Sequence, residues 1–380
     1  MKLLFVLGTR PEAIKMAPLI LEARQRPGVE VVVCATGQHR EMVPEILALF
    51  GLTPDFDLDI MTANQSLSDI TRGVLEKLPP QLQALRPDWL LVQGDTSTAF
   101  AAALAAFYEK VQVAHVEAGL RTGNFFAPWP EEMNRHLVSK IAALHFAPTV
   151  TAESNLLLEN IAPGAVFVTG NTGIDALKLL VGRLTSSAGL QNKSRIELSA
   201  SGLPERLVSG PSRLILITGH RRENIGSGFE QICRAILALA ETFPDADLVY
   251  PIHPNPRVRE TVRAILGGAS RPNIHLIEPL NYLPFVDIMS RATLILTDSG
   301  GVQEEAPSLG KRVIVLRETT ERTEGLGSPF IRLTGCDSAK IVGAGTAALT
   351  NDWAEPGTAC DLYGDGFASR RILDVLAPGV

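Results

Sequence analysis

Trp89-Leu90-Leu91-Val92-Gln93-Gly94-Asp95, a helical pattern over residues 96–108, and Val111-Gln112-Val113-Ala114-His115-Val116-Glu117 together decide the fold of this chain. Two apolar runs of strand length flank one stretch of helical spacing, which reads as strand, helix, strand. Both runs are too apolar to face water, so the sheet is parallel and covered by helices on both faces. Each run ends in a carboxylate, Asp95 and Glu117. A third acid, Glu131, opens a helix after Pro128-Trp129-Pro130. Ligands of open α/β sheets bind outside the carboxyl ends of the strands, so three acids brought to that edge point to acid/base chemistry.

The same alternation extends outward to both ends of the sequence. Residues 2–7, 30–35, 89–92, 111–116, 166–168, 213–218, 247–251, 274–277, 293–297 and 312–316 read as strands, and 226–242 repeats the helical spacing of 96–108. A length of 380 residues is too great for one ordinary core and divides most simply into two domains. The boundary is expected near Gly170-Asn171-Thr172-Gly173, giving a first domain over 1–170 and a second over 171–361. Residues 183–210 read as polar and loosely structured, and 362–377 as a terminal helix packing back on the first domain. The expected class is α/β, with two doubly wound Rossmann-like domains facing a central cleft.

Composition narrows the function. Hydrophobic residues at 46% against charged residues at 20% describe a folded chain with ample core rather than a disordered one. A net charge of −6 without long basic runs argues against a nucleic-acid partner. Four scattered cysteines form no CxxC pair and the histidines show no ligand spacing, so no metal is expected and a reducing cytoplasm is. No apolar run reaches about 18 residues, so no membrane span is expected. Met1 is followed at once by strand-like residues, which leaves no room for a signal peptide. The first strand ends in Gly8-Thr9-Arg10-Pro11-Glu12 where a dinucleotide fold would carry GxGxxG, so NAD loses its usual support.

Individual residues admit competing readings. Arg10 at the first strand tip, with Lys15 a turn further on, suits a phosphate, but a surface Arg and Lys on a loop is the alternative. Gln38 and His39 end the second strand and face either a ligand or solvent. Glu131 and Glu132 follow Pro130 in a first helical turn, where acids also serve the helix dipole. His220, beside Arg221 and Arg222 at a strand tip, suits a phosphate better than a metal. Asp298-Ser299-Gly300-Gly301 joins a strand to a helix N-terminus, whose exposed N–H groups suit a phosphate. Glu305, one turn on, suits the two hydroxyls of a ribose, and residues 317–322 add arginines at both ends.

Seven segments, GTRPEAIKMAPLI (8–20), QGDTSTAFAAALAAFY (93–108), HVEAGLRTGN (115–124), PEEMNRHL (130–137), GHRREN (219–224), YLPF (282–285) and LTDSGGVQEEAPSLGK (296–311), resemble the non-hydrolysing UDP-N-acetylglucosamine 2-epimerases. The resemblance runs from Gly8 to Arg322 and implies the two-domain GT-B-like architecture shared with many glycosyltransferases. It implies catalytic roles for Asp95, Glu117, Glu131 and His220. It also implies a UDP-sugar site from Arg10, Lys15, His220, Phe285, Ser299, Gly300, Gly301, Glu305 and Arg322. Some relatives bind a second substrate molecule as an activator, for which Gln38, His39, Gln65 and Arg135 are the candidates. The implied protein is a homodimer that needs no cofactor. Two departures stand out: Glu321-Arg322-Thr323-Glu324 replaces the family's ERPE, and Leu280 stands where some relatives carry a polar side chain.

The implied chemistry expels UDP from C1, which acidifies the C2 proton, gives a glycal, and lets UDP return as C2 is reprotonated on its other face. The product would supply a precursor of surface polysaccharide. Rival readings are an epimerase for a related UDP-diacetamido uronic acid, a hydrolysing epimerase, a glycosyltransferase of the same fold, and a nucleotide-sugar sensor. Three clustered acids favour epimerisation over transfer or sensing.

Overall fold

The computed structural model describes residues 1–379 apart from 63–64, 211, 220, 222–223, 269–270, 321 and 354–359. The chain forms two compact units. One comprises Met1–Leu179 with the residues from Tyr363 onward, and the other Leu180–Leu362. The division falls inside the helix Thr172–Ser186 rather than at residue 170.

The first unit is built on a parallel sheet of β1 (Lys2–Leu7), β2 (Glu30–Ala35), β3 (Phe56–Asp57), β4 (Trp89–Gln93), β5 (Gln112–Val116), β6 (Leu144–Ala147) and β7 (Val166–Val168), in the spatial order β3-β2-β1-β4-β5-β6-β7. Leu3 through Leu7 are wholly buried, as expected for a strand covered on both faces. One covering layer is the alanine-rich helix Ser97–Tyr108, whose small side chains let it lie close to the sheet and to the helix Leu67–Leu85. Strand order reverses between β1 and β4, where Phe5 pairs with Leu91 and Gln93 of β4 with Val116 of β5. The ends of β1, β4 and β5 therefore open on one edge at the topological switch point.

The second unit repeats the plan with β8 (Arg213–Thr218), β9 (Ala246–Pro251), β10 (Ile274–Ile277), β11 (Leu294–Thr297), β12 (Arg312–Val315) and β13 (Ile331–Leu333), in the order β10-β9-β8-β11-β12-β13. Its switch point lies between β8 and β11, so Gly219, Arg221 and residues 298–301 share an edge.

Three expectations change. Residues 183–210 are mostly helical, completing Thr172–Ser186 and adding Ala188–Ala200 and Glu205–Ser209. The serine cluster that reads as a loop is a helix junction, where the Ser187 hydroxyl accepts the Leu190 N–H at 3.3 Å. Ser194 is buried against Asp287 at 2.5 Å, a satisfied polar group rather than a solvated one. The terminal helix is Ala368–Leu376, shorter than 362–377. Asp175 accepts its Ala368 and Ser369 N–H groups at 3.2 and 2.7 Å, so an acid sits at the positive end of the helix dipole. Lastly β3, β6 and β13 join the predicted strands.

Candidate active site

In the first unit the acids of the switch-point edge are held by cations and amides. Glu117 follows β5 with a φ of 61°, left-handed backbone that costs a non-glycine residue on the order of 1 kcal/mol. That turn aims its carboxylate at Lys15, whose ammonium pairs with Oε2, while Gln93 Nε2 donates to the same oxygen at 3.0 Å. Lys15 reaches it from the helix Arg10–Gln25. The helix that follows β1 and the ends of β4 and β5 thus meet at one carboxylate.

Asp95 is fixed by its surroundings as well as by its charge. Arg135 approaches its Oδ2 at 2.7 Å, Asn134 Nδ2 donates to its carbonyl at 2.8 Å, and His115 Nε2 donates to the carbonyl of Gly94 at 2.7 Å. Burial and the neighbouring Glu117 charge push the Asp95 carboxyl above its ordinary range, against the pull of Arg135 and Lys15. Arg135 is itself oriented by Glu132 at 2.8 Å. Glu132 is wholly buried and accepts the Thr122 and Gly123 N–H groups at 2.9 and 3.0 Å. Burial raises the Glu132 carboxyl, but Arg135 and those two amides outweigh it and hold the group below its ordinary value. Of the two glutamates after Pro130, Glu132 braces the helix Glu131–Ile141 and its preceding loop. Glu131 is half-buried and makes no hydrogen bond or ion pair among the described residues.

The remaining candidates of this unit lie close by or apart. The Arg10 N–H donates to His39 Nδ1 at 3.3 Å, and burial with the Arg10 charge lowers the imidazole. Thr98, on the helix after Asp95, donates to Gln38 at 2.6 Å. Gln65 bonds locally, taking the Thr62 N–H at 3.0 Å. Arg135 belongs with Asp95 by contact. Glu12 escapes a reading built on strand ends: it is fully buried and accepts from Gly8, Thr9 and Thr96. Burial pushes its carboxyl up to about 7. Its signal was the Thr9-x-x-Glu12 spacing of a capping box at a helix start.

In the second unit the edge is prepared for an anion. The helix Gly300–Ser308 starts at Ser299, whose hydroxyl caps none of the helix N–H groups. Gly301 is exposed, with nothing within 4 Å of where a Cβ would point, so a ligand can approach the backbone closely. The Arg322 guanidinium lies 3.0–3.3 Å from where a Cβ on Gly300 would stand, and its Nε donates to Glu304 at 2.8 Å. Glu305 is half-buried, and its charge together with burial raises the enclosed Tyr282 phenol. Phe285, half-buried, lies in the first turn of the helix Tyr282–Arg291. Asp298 is structural: it takes the Arg221 N–H at 2.9 Å and Asn224 Nδ2 at 3.2 Å, joining the β8 and β11 loops. His220 lies outside the described residues. Among the described residues no three His, Cys, Asp or Glu side chains are grouped to hold a metal, and no helix is long and apolar enough to cross a membrane.

These features define a class: a two-unit, doubly wound α/β protein with an acid-bearing strand edge in one unit and an anion-ready edge in the other. The chain belongs to the UDP-N-acetylglucosamine 2-epimerase family, whose sequence pattern matches residues 21–377. It is 50% identical over 378 residues to the UDP-N-acetylglucosamine 2-epimerase of Escherichia coli K12, covering 99% of this chain and 98% of that one. A crystal structure of UDP-GlcNAc 2-epimerase from Neisseria meningitidis bound to UDP-GlcNAc shares 46% identity at a TM-score of 0.85, with 99% of each chain covered. The UDP-GlcNAc 2-epimerase of Methanocaldococcus jannaschii shares 32% identity at a TM-score of 0.85 over the whole of both chains.

Proposed function

We propose that this chain interconverts UDP-N-acetylglucosamine and UDP-N-acetylmannosamine without hydrolysis. The observation that carries the reading is its 50% identity, over 99% of its length, to an enzyme named for that epimerisation. The strand-edge acids support it, since binding a dianionic nucleotide gives no reason to gather carboxylates at the same fold's ligand edge.

In this reading the second unit holds the nucleotide. Ser299, Gly300 and Gly301 present helix N-terminal N–H groups to the pyrophosphate, and Arg322 and His220 add donors. Glu305 takes the ribose hydroxyls, and Phe285 lies against the base. Arg10 and Lys15 of the first unit are cations suited to the leaving group's charge. The C1–O bond breaks with its electron pair leaving on UDP, and a carboxylate removes the C2 proton, giving a 2-acetamidoglucal. UDP then adds back to C1 while an acid delivers a proton to the opposite face of C2. Asp95, Glu117 and Glu131 are the groups for these transfers. The raised Asp95 carboxyl suits an acid and Glu117, held by Lys15 and Gln93, suits a base. Each positioned transfer contributes about 10²–10⁴-fold, and the donors around the departing pyrophosphate at least as much.

Finer features belong to the same proposal. The enzyme works in the cytoplasm as a homodimer, and its product feeds surface polysaccharide. Phe107, Tyr108, Phe126 and Trp129 are exposed on the first unit, apolar surface of the kind a second copy covers. Gln38, His39, Gln65 and Arg135 form a site for an activating second substrate molecule. Anion-exchange separation of the sugar nucleotides after incubation with UDP-N-acetylglucosamine tests the reaction. A mixture of the two epimers supports it; free N-acetylmannosamine with UDP would mean hydrolysis instead, and unaltered substrate would refute both.

A further inference from the structure

We propose that Glu12 is a positioning residue for the reaction: its carboxylate locks the loop that carries Arg10 to the loop that carries Asp95. The proposal rests on the epimerase reading for its kinetic consequences, and on the geometry alone for the link itself.

Glu12 lies in the first turn of the helix Arg10–Gln25 with no exposed surface. Its Oε2 accepts the Gly8 N–H at 3.2 Å, the Thr9 N–H at 2.6 Å and the Thr9 hydroxyl at 2.7 Å. A helix cap requires no more than these. Its second oxygen does something different. Oε1 accepts the Thr96 hydroxyl at 2.8 Å, across 84 residues of sequence. Thr96 must be the donor there, because a carboxylate only accepts and the Thr96 oxygen takes the Ala99 N–H at 2.9 Å. Thr96 directly follows Asp95, and Thr9 directly precedes Arg10. The carboxylate therefore spans the gap between β1 and β4 where the strand order reverses.

Stability does not account for an acid at this place. Among the described residues Glu12 has no cationic partner, and burying a carboxylate against neutral donors alone is costly. A glutamine would satisfy the Gly8 and Thr9 donors with one carbonyl oxygen at less cost. It would then turn an NH₂ group toward the Thr96 hydroxyl. The Thr96 oxygen keeps a second lone pair for that NH₂, so either side chain spans the gap, and what the link requires is a polar group of this reach rather than a charge. Holding reacting groups in register is worth a large factor, and a misplacement of about 1 Å can cost on the order of 100-fold.

The test uses Glu12→Met, Thr96→Val and Thr96→Ser in the full chain. The first two are expected to lower kcat by roughly 10- to 100-fold and UDP affinity by less than that, because of the groups assigned to UDP only Arg10 and Lys15 lie on the element that is loosened. The double variant should lose no more than the worse single one, since both remove one link. Thr96→Ser keeps the hydroxyl and should return kcat to within about 3-fold of wild type. Amide exchange over residues 94–98 reads the link without the reaction and should quicken in Glu12→Met and Thr96→Val. Folded variants with wild-type kcat and unchanged exchange overturn the proposal, as does full additivity in the double variant. A wild-type chain that does not epimerise, with exchange still quickened in the variants, would remove the epimerase reading and leave the link standing.

Discussion

Lowering the pH from 7 to 5 sets two buried imidazoles against one buried carboxyl in the first unit. His115 and His145 are paired across β5 and β6, both essentially without exposed surface. Burial holds His115 down to about 3 and His145 to about 4, from an ordinary 6.5. Both stay neutral in the fold at pH 5, while the unfolded chain protonates both. Their contribution is complete above 6.5 and is lost as pH falls; at pH 5 each costs about 2 kcal/mol, about 4 together. Glu12 acts in the opposite direction. Its folded value near 7 exceeds the ordinary 4.5, so its contribution is greatest below 4.5 and is lost as pH rises through 7. Acidifying from 7 to 5 therefore returns about 2 kcal/mol at Glu12. The imidazoles win, and these three groups together cost the fold about 2 kcal/mol over that interval. In Glu12→Gln the opposing contribution is gone, and the loss should approach about 4 kcal/mol. Urea unfolding of both proteins at pH 7, 6 and 5 measures the difference, which cancels every other titrating group. Parallel stability–pH curves for wild type and Glu12→Gln would refute the reasoning.

Three further outcomes are expected. Glu117→Gln should lower turnover by about 10²–10⁴-fold with UDP affinity nearly unchanged, and near-normal turnover would remove Glu117 from the catalytic set. Gly300→Ala pushes a Cβ toward the Arg322 guanidinium, 3.0–3.3 Å away, and should weaken UDP binding by about 10-fold in calorimetry. Unchanged affinity would separate Arg322 from the nucleotide. Gly119 has a φ of +89° and faces the Ala152 carbonyl, so Gly119→Ala should cost the first unit about 2–4 kcal/mol in urea unfolding. A smaller change would mean that the turn after Glu117 repacks freely.

The sequence carried the strand ends more clearly than anything else. Asp95 and Glu117 were legible because apolar runs such as Leu90-Leu91-Val92 demand burial on both faces, and whatever follows them must emerge at the ligand edge. β3, at two residues, and β13, at three, are too short to show a period. β6 carries His145 in its middle, a polar residue buried for local reasons. The helices of 188–209 were hidden because Ser187 and Ser194 bond within the fold, and a serine's partner is not written beside it. Contacts between distant loops were the least legible. Glu12 with Thr96 and Arg135 with Asp95 span 84 and 40 residues, and only the assembled sheet brings them together. Glu131 and Glu132 are alike in sequence, and burial alone tells them apart.

Proton NMR of the purified chain with UDP-N-acetylglucosamine in D₂O tests the central claim most directly. Epimerisation through C2 proton removal predicts a growing UDP-N-acetylmannosamine signal, loss of the C2 proton to deuterium in both epimers, and little free sugar. A spectrum that stays that of UDP-N-acetylglucosamine, with its C2 proton retained, would contradict it.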